Sequence, residues 1–124
     1  MMRLVRSPLG QLLAGWIFAH MSFAIPVQRL YETKSLVAFY HPRPAYTVHI
    51  LIIPKKAIAS LAELKPGEEF GAAFLGDLVA CTQSLVKDLR LDETGYRLIV
   101  NGGKYQDVAE LHFHLVSGES RVTD

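Results

Sequence analysis

The sequence predicts a single α+β domain spanning residues 1–124, on three observations. Apolar residues recur at helical spacing through one long segment between Phe70 and Leu89, and shorter runs bounded by turn-forming residues read as strands on both sides of it. The length, 124 residues, is one domain's worth and buries roughly two-thirds of the unfolded surface. Half of the residues are hydrophobic and a fifth are charged, so a packed core is expected and a disordered binder is not.

The chain opens on 22 residues without Asp, Glu, Lys or Arg, from Ser7 to Gln28, preceded by Arg3 and Arg6. That layout is long enough for a membrane span and resembles a signal peptide. Pro8, Gly10, Gln11, Gly15, His20, Ser22 and Pro26 interrupt the run, while Leu9, Leu12, Leu13, Trp16, Ile17 and Met21 fall on one helical face. A packed amphipathic helix over residues 8–23 is the preferred reading, ahead of a membrane segment and a cleaved signal. Arg29–Glu32 and Leu36–Tyr40 then read as two strands around a Thr33-Lys34-Ser35 turn, and Pro42-Arg43-Pro44 forces an extended loop. Val48–Ile53 is almost wholly β-branched or Leu, as for a central strand covered on both faces, with His49 its polar interruption. Pro54, Lys55 and Lys56 end it, the lysines as a solvated strand end.

After Pro66-Gly67, Phe70, Phe74, Leu78, Cys81, Leu85 and Leu89 step by four, four, three, four and four, the stripe of a long amphipathic helix. Cys81 lies on that stripe and reads as a core thiol. Gly95–Val100 and Leu111–Val116 supply two more strands, and Ser117–Asp124 reads as a polar tail. Thirteen basic against twelve acidic residues leave a net charge of +1, far from the excess by which nucleic-acid proteins neutralise phosphates. No nucleic-acid partner is expected. One cysteine excludes an internal disulfide or a CxxC pair, which fits a reducing cytoplasm.

Chemistry concentrates in Glu110-Leu111-His112-Phe113-His114-Leu115. Strand alternation sends Glu110, His112 and His114 to one face, which should be wet, and Leu111, Phe113 and Leu115 to the core. A solvated strand face is the plain alternative. His49 in its apolar strand, and Asn101 leading a glycine-containing loop before the histidines, add an imidazole, an amide and backbone N–H groups able to approach a phosphate.

These residues resemble the histidine triad (HIT) superfamily, whose signature alternates three histidines with apolar residues near the C-terminus. Here it stands as Glu110-Leu111-His112-Phe113-His114-Leu115-Val116, with Glu110 in place of the first histidine. The resemblance extends over about residues 16–118, through Ile17-Phe18, Ile25-Pro26, Tyr31-Glu32, Leu36-Val37-Ala38-Phe39, His49-Ile50-Leu51-Ile52-Ile53-Pro54-Lys55 and Gly95-Tyr96-Arg97-Leu98 to Asn101. It implies a five-stranded antiparallel sheet with an N-terminal helix and one long central helix, pairing as a homodimer. The implied activity is at the α-phosphate of nucleotides.

On that resemblance His112 stands as the nucleophile and His114 as the phosphate-contacting histidine, with His49 and Asn101 in support. Phe18 and Phe39 match the base pocket, and Gln106, Asp107 and Val108 of the loop join the substrate-binding set. His41 stands where the family often has an Asp that engages ribose, and Asp107 where small hydroxyl residues are common. Glu110 and Asp107 together put two carboxylates near an anionic ligand. Each could cost on the order of 1 to 4 kcal/mol, or Glu110 could orient an imidazole or act as an acid. Trp16 and Ala19 occupy positions where some members carry a zinc-binding cysteine pair, so no structural metal and no cofactor are expected.

The chemistry is self-sufficient. A neutral imidazole whose Nδ1–H is held by a backbone carbonyl has a free Nε2 with which to attack phosphorus. The leading expectation is therefore a nucleotidyl hydrolase or transferase using a covalent histidine intermediate, acting on a purine nucleotide, nucleoside phosphoramidate or dinucleoside polyphosphate. A non-catalytic purine-nucleotide binding or adaptor protein is the second expectation. A metal site built from Glu110, His112, His114 and His49 is the third.

Overall fold

The structure is a computed structural model that describes residues 28–121. The expected N-terminal helix and the last three residues lie outside the described residues, as do Trp16, Phe18 and Ala19. Five strands form one antiparallel sheet: β1 (Tyr31–Glu32), β2 (Leu36–Tyr40), β3 (Tyr46–Pro54), β4 (Arg97–Val100) and β5 (Phe113–Ser120), in the order β1-β2-β3-β5-β4. Helix α1 (Glu69–Asp88) and a short α2 (Leu91–Thr94) connect β3 to β4.

The β-branched content of β3 matches its place between β2 and β5. Ile50, Leu51 and Ile52 are fully buried, so the strand is covered on both faces. Even-numbered residues of β2 and β3 (Leu36, Ala38, Ile50, Ile52), with Phe113 and Leu115 of β5, face α1 and pack on Phe74, Leu78, Cys81 and Leu85. This is the stripe that the four-and-three spacing predicts. Each such side chain contributes roughly 1.5–3 kcal/mol by leaving water. The first turn of α1 presses on the preceding loop, because a Cβ at Gly71 would stand 1.9 Å from the Lys65 carbonyl oxygen. Beyond the last turn Arg90 adopts a left-handed conformation, φ 56°, which halts α1 before the chain turns into α2.

Odd-numbered residues face the other way. Val37, Phe39, Leu51, Ile53 and Val108 form a second apolar cluster on that face. Both ends of β5 differ from the sequence reading. It starts at Phe113 rather than Leu111, so His112 sits just ahead of the ladder. At the far end Ser117–Ser120 extend the strand instead of opening a polar tail. Gly118 makes the extension possible. Between the pairs Val48↔Ser117 and Tyr46↔Ser120 the register slips, and Gly118 there has φ 86° with Thr47 where a Cβ would be. Main-chain pairing thus carries a polar segment that side-chain pattern alone excludes from a strand. Ser117 is buried, and its hydroxyl donates to the Gly95 carbonyl at 2.6 Å.

Candidate functional site

Register brings four histidines together on the face opposite α1. Phe39 pairs with Leu51, and the ladder continues one step as the His41 N–H donates to the His49 carbonyl at 2.8 Å. His41 therefore stands across from His49. Leu51 pairs with His114, which puts His49 and His114 diagonally across β3 and β5, and His112 precedes His114 by two residues. The rings form a row His41–His49–His114–His112 with successive centroids 4.4, 5.1 and 5.0 Å apart.

The hydrogen bonds along the row fix where each proton sits. The Ala45 N–H donates to His49 Nδ1 at 2.9 Å, so neutral His49 carries its proton on Nε2. That N–H faces His114 Nδ1 at 2.9 Å, which must accept, and His114 in turn carries its proton on Nε2. His112 has the opposite tautomer. Its Nδ1–H donates to the Glu110 carbonyl at 2.8 Å, leaving a lone pair on Nε2 with no hydrogen-bond partner among the described residues. The site therefore presents one nucleophilic nitrogen beside one N–H donor.

Burial keeps the row neutral. It lowers His49 from the usual 6.5 to about 4, and it lowers His41 to about 4, with repulsion from His49 and His112 adding to the effect. His114 falls to about 3, first through burial and then through its three imidazole neighbours. His112 is also lowered by burial, but the Glu110 carbonyl and the Asp107 carboxylate work against the shift. A half-wet polar face was expected; instead His41, His49 and His112 are 4, 6 and 5% exposed, and only His114 is half-buried.

The other predicted positions separate into near and remote. Asp107 is exposed and close enough to His112 to act on it electrostatically. Ile99 pairs with His114, so Asn101, two residues on, comes level with His112. Phe39 and Val108 lie in the apolar cluster beside the row. The Gln106 side-chain amide donates to the Ala59 and Val108 carbonyls, at 2.7 and 2.9 Å, and so straps the loop rather than pointing outward. Glu110 contributes its carbonyl to His112, while its carboxylate is held by the backbone N–H of Ile58. Burial raises the Glu110 carboxyl above its ordinary value, and the Ile58 N–H opposes that shift.

A His/Glu metal centre has no donor set here. Among the described residues no group of three or more His, Cys, Asp or Glu is disposed to hold a metal ion. The bonds explain why: His49 and His114 are committed to each other, and Glu110 is held at Ile58. Sequence reasoning set His41 among the substrate-binding residues, in the place of a ribose-engaging Asp, and missed that it completes the row. The signal was the β2–β3 register, which needs the length of the connecting loop to be known.

A five-stranded antiparallel sheet with a helix on one face and ordered imidazoles on the other is the architecture of a histidine-triad domain. The HIT domain family matches residues 22–121, and the chain belongs to that family. It is 38% identical over 98 residues to a HIT-like protein of Synechococcus elongatus, covering 77% of this chain and 82% of that protein. A HIT-like protein of Buchnera aphidicola is 32% identical over 97 residues, with 77 and 84% covered. Among solved structures, a HIT family hydrolase from Clostridium thermocellum superposes with a TM-score of 0.70 at 34% identity, covering 86% of this chain and 91% of that one. A histidine triad nucleotide-binding protein from Candida albicans gives 0.69 at 29% identity, with 83 and 74% covered.

Proposed function

We propose that this chain is a nucleotidyl hydrolase or transferase that acts at the α-phosphate of a purine nucleotide, such as a nucleoside phosphoramidate or dinucleoside polyphosphate, through His112. The observation that carries the reading is the His112 tautomer, with Nδ1–H given to the Glu110 carbonyl and Nε2 free. Two names among the similar structures, a hydrolase and a nucleotide-binding protein, lend support.

In this mechanism His112 Nε2 attacks phosphorus in line. The N–P bond forms as the bond to the leaving group breaks, and the leaving group departs with the electron pair and takes a proton from solvent. His112 keeps its Nδ1 proton and becomes a cationic phosphoimidazole, stabilised by the Glu110 carbonyl and by the Asp107 charge. The His114 Nε2–H hydrogen-bonds to the phosphoryl oxygens throughout, and the Asn101 amide is a further donor. Water then displaces His112, breaking the N–P bond and releasing the nucleoside monophosphate. His49 holds the His114 tautomer, and the apolar cluster around Phe39 and Leu51 provides a floor for the base.

We place the domain over residues 1–124 and in the cytoplasm, and read it as a homodimer. Cytoplasmic placement is supported by the free thiol of Cys81; no helix of the described residues is long and apolar enough to cross a membrane. Dimerisation is supported by β4, which lies at the sheet edge and exposes Leu98, with Tyr96 just before it exposed as well. The decisive experiment follows release of adenosine monophosphate from adenosine 5′-phosphoramidate, with acid quench to trap adenylylated protein. Wild type should turn over and trap label, and His112→Ala should lose on the order of a thousandfold in rate and all label. Equal rates in the two proteins would refute the mechanism, and binding without turnover would favour the adaptor reading.

A further inference from the structure

The loop between β4 and β5 holds an aromatic ring out in water. Tyr105 is 82% exposed, the most of any large apolar or aromatic side chain among the described residues. Its backbone is nonetheless fixed. The Tyr105 N–H donates to the Gly102 carbonyl at 3.2 Å, the Gln106 N–H donates to the Gly103 carbonyl at 3.1 Å, and the Gln106 side chain straps the turn to the Ala59 and Val108 carbonyls. An exposed ring on an anchored turn loses little freedom when a ligand covers it. The same turn walls a recess of about 110 Å³ bounded by Leu61, Ala62, Val100, Asn101, Gly102 and Gly103. Gly102 keeps that recess open although the backbone does not demand a glycine: its φ of −139° suits any residue, and a Cβ there would meet nothing within 4 Å.

We infer that this turn is a leaving-group subsite and that Tyr105 is a specificity-determining residue, its ring a stacking platform for the second base of a dinucleoside polyphosphate. The inference rests on the phosphoryl site proposed above and names the substrate class which that site takes. Strand order divides the two halves of the substrate. The floor for the retained base, Phe39 and Leu51, belongs to β2 and β3 on one side of β5, whereas Asn101 and the turn leave β4 on the other side. Tyr105 is four residues past Asn101, hence within about 14 Å of it even for an extended chain and nearer through the 3₁₀ turn, a span that a polyphosphate bridge covers. Lys104, exposed beside the ring, places a cation along that bridge. With a dinucleoside tetraphosphate, attack by His112 Nε2 on the α-phosphorus breaks its bond to the bridging oxygen. A nucleoside triphosphate leaves with that oxygen and the electron pair, and water then releases the nucleoside monophosphate from His112.

The test measures kcat and KM of wild type, Tyr105→Ala and Tyr105→Phe on three substrates. These are diadenosine tetraphosphate, the δ-methyl ester of adenosine 5′-tetraphosphate, which keeps the bridge and its charge without the second nucleoside, and adenosine 5′-phosphoramidate. Wild type should cleave the dinucleotide with kcat/KM about tenfold above that of the methyl ester, the range that one base stacked on an aromatic ring supplies. Tyr105→Ala should erase the preference through KM, because a contact remote from the phosphorus is made equally before and during attack. Tyr105→Phe should retain it within about twofold, and the phosphoramidate, whose leaving group has no ring, should react within about twofold of wild type in both variants. A preference that survives in Tyr105→Ala would overturn the inference. So would an equal loss on all three substrates, or a loss that tracks dissociation of a dimer in the analytical ultracentrifuge, either of which gives the ring to the fold or to assembly. Should Tyr105→Ala fail to fold by circular dichroism, wild type decides, since equal kcat/KM for dinucleotide and methyl ester would overturn the inference there. If wild type releases adenosine monophosphate from none of the substrates, the phosphoryl-site reading falls and takes this inference with it; phosphoramidate turnover without a preference for the dinucleotide sinks the inference alone.

Discussion

Acidification should destabilise this domain well before its carboxylates titrate, because protons enter the unfolded chain at histidines that the folded chain holds neutral. His41 and His49 ordinarily titrate at 6.5 and are held at about 4 when folded. Their folded values are depressed, so the stability they confer is complete above pH 6.5 and drains away as pH falls from there towards 4. One such ring forfeits on the order of 3 kcal/mol over the whole interval and about 2 kcal/mol by pH 5. Burial is the chief cause of both shifts, and repulsion from His49 adds to that of His41, so the two do not simply add. Counting a single proton gives a loss of about 2 kcal/mol from the histidines, or roughly 8 °C in Tm for a domain of this size. Glu110 acts in the opposite sense. Its raised carboxyl makes the folded state the better proton binder as pH falls, and it offsets part of the loss. Urea titrations at pH 7.5 and 5.0, with imidazole nitrogen shifts recorded by NMR, measure both sides of the argument. Stability unchanged within about 0.5 kcal/mol, or rings that protonate near pH 6.5 in the folded protein, would refute it.

Three further outcomes follow from particular contacts. His49→Phe removes the N–H that makes His114 Nδ1 an acceptor; phosphoramidate turnover should fall about tenfold or more, and NMR should find the His114 proton shared between its nitrogens. Gly71→Ala drives a Cβ into the Lys65 carbonyl, a backbone atom that cannot move aside without shifting the start of α1; urea denaturation should register a loss of about 2–4 kcal/mol. Cys81 is fully buried, and burial and Asp77 push its thiol up to about 12; thiol reagents should label it at the rate of global opening, and label it quickly in denaturant.

How legible these features are in the sequence depends on how far apart the residues sit in the chain. The long helix is visible because Phe74, Leu78, Cys81 and Leu85 are neighbours within it, and period alone orients them. β3 is visible because a strand covered on both faces needs apolar residues at every position. The strand beyond Val116 is not, because its pairing to β3 is made by main-chain atoms across a bulge, and Ser117, Gly118, Glu119 and Ser120 give no apolar pattern. The site divides the same way. His112 and His114 are two residues apart and announce themselves, and His49 stands out as the polar interruption of an apolar strand. His41 joins the row only through the register across the turn between β2 and β3, a property of the loop's shape rather than its composition. The His112 tautomer is the one its chemistry requires and could be expected; those of His41 and His49 were beyond reach, since they depend on the Arg43 and Ala45 N–H groups meeting Nδ1 atoms.

The two carboxylates that the sequence sets beside the anion site should have opposite consequences when neutralised. Glu110 is tied to Ile58 by its carboxylate and serves His112 by its carbonyl, and the carbonyl survives any substitution. A glutamine offers the Ile58 N–H the same acceptor without a charge that burial disfavours, so Glu110→Gln should leave kcat/KM within about threefold and the fold no less stable at pH 7. Asp107 is different because its charge reaches the imidazole itself and holds His112 higher than burial alone would. Asp107→Asn should lower the His112 pKa further and carry the acid limb of the pH–rate profile to lower pH. It should also slow attack, since a less basic nitrogen is a weaker nucleophile and the phosphoimidazole cation loses its counter-charge. Relief of repulsion with the phosphate works against that slowing and should appear as a lower KM. A tenfold fall in kcat for Glu110→Gln, with Asp107→Asn unchanged in its pH profile, would mean that the roles of the two carboxylates are reversed.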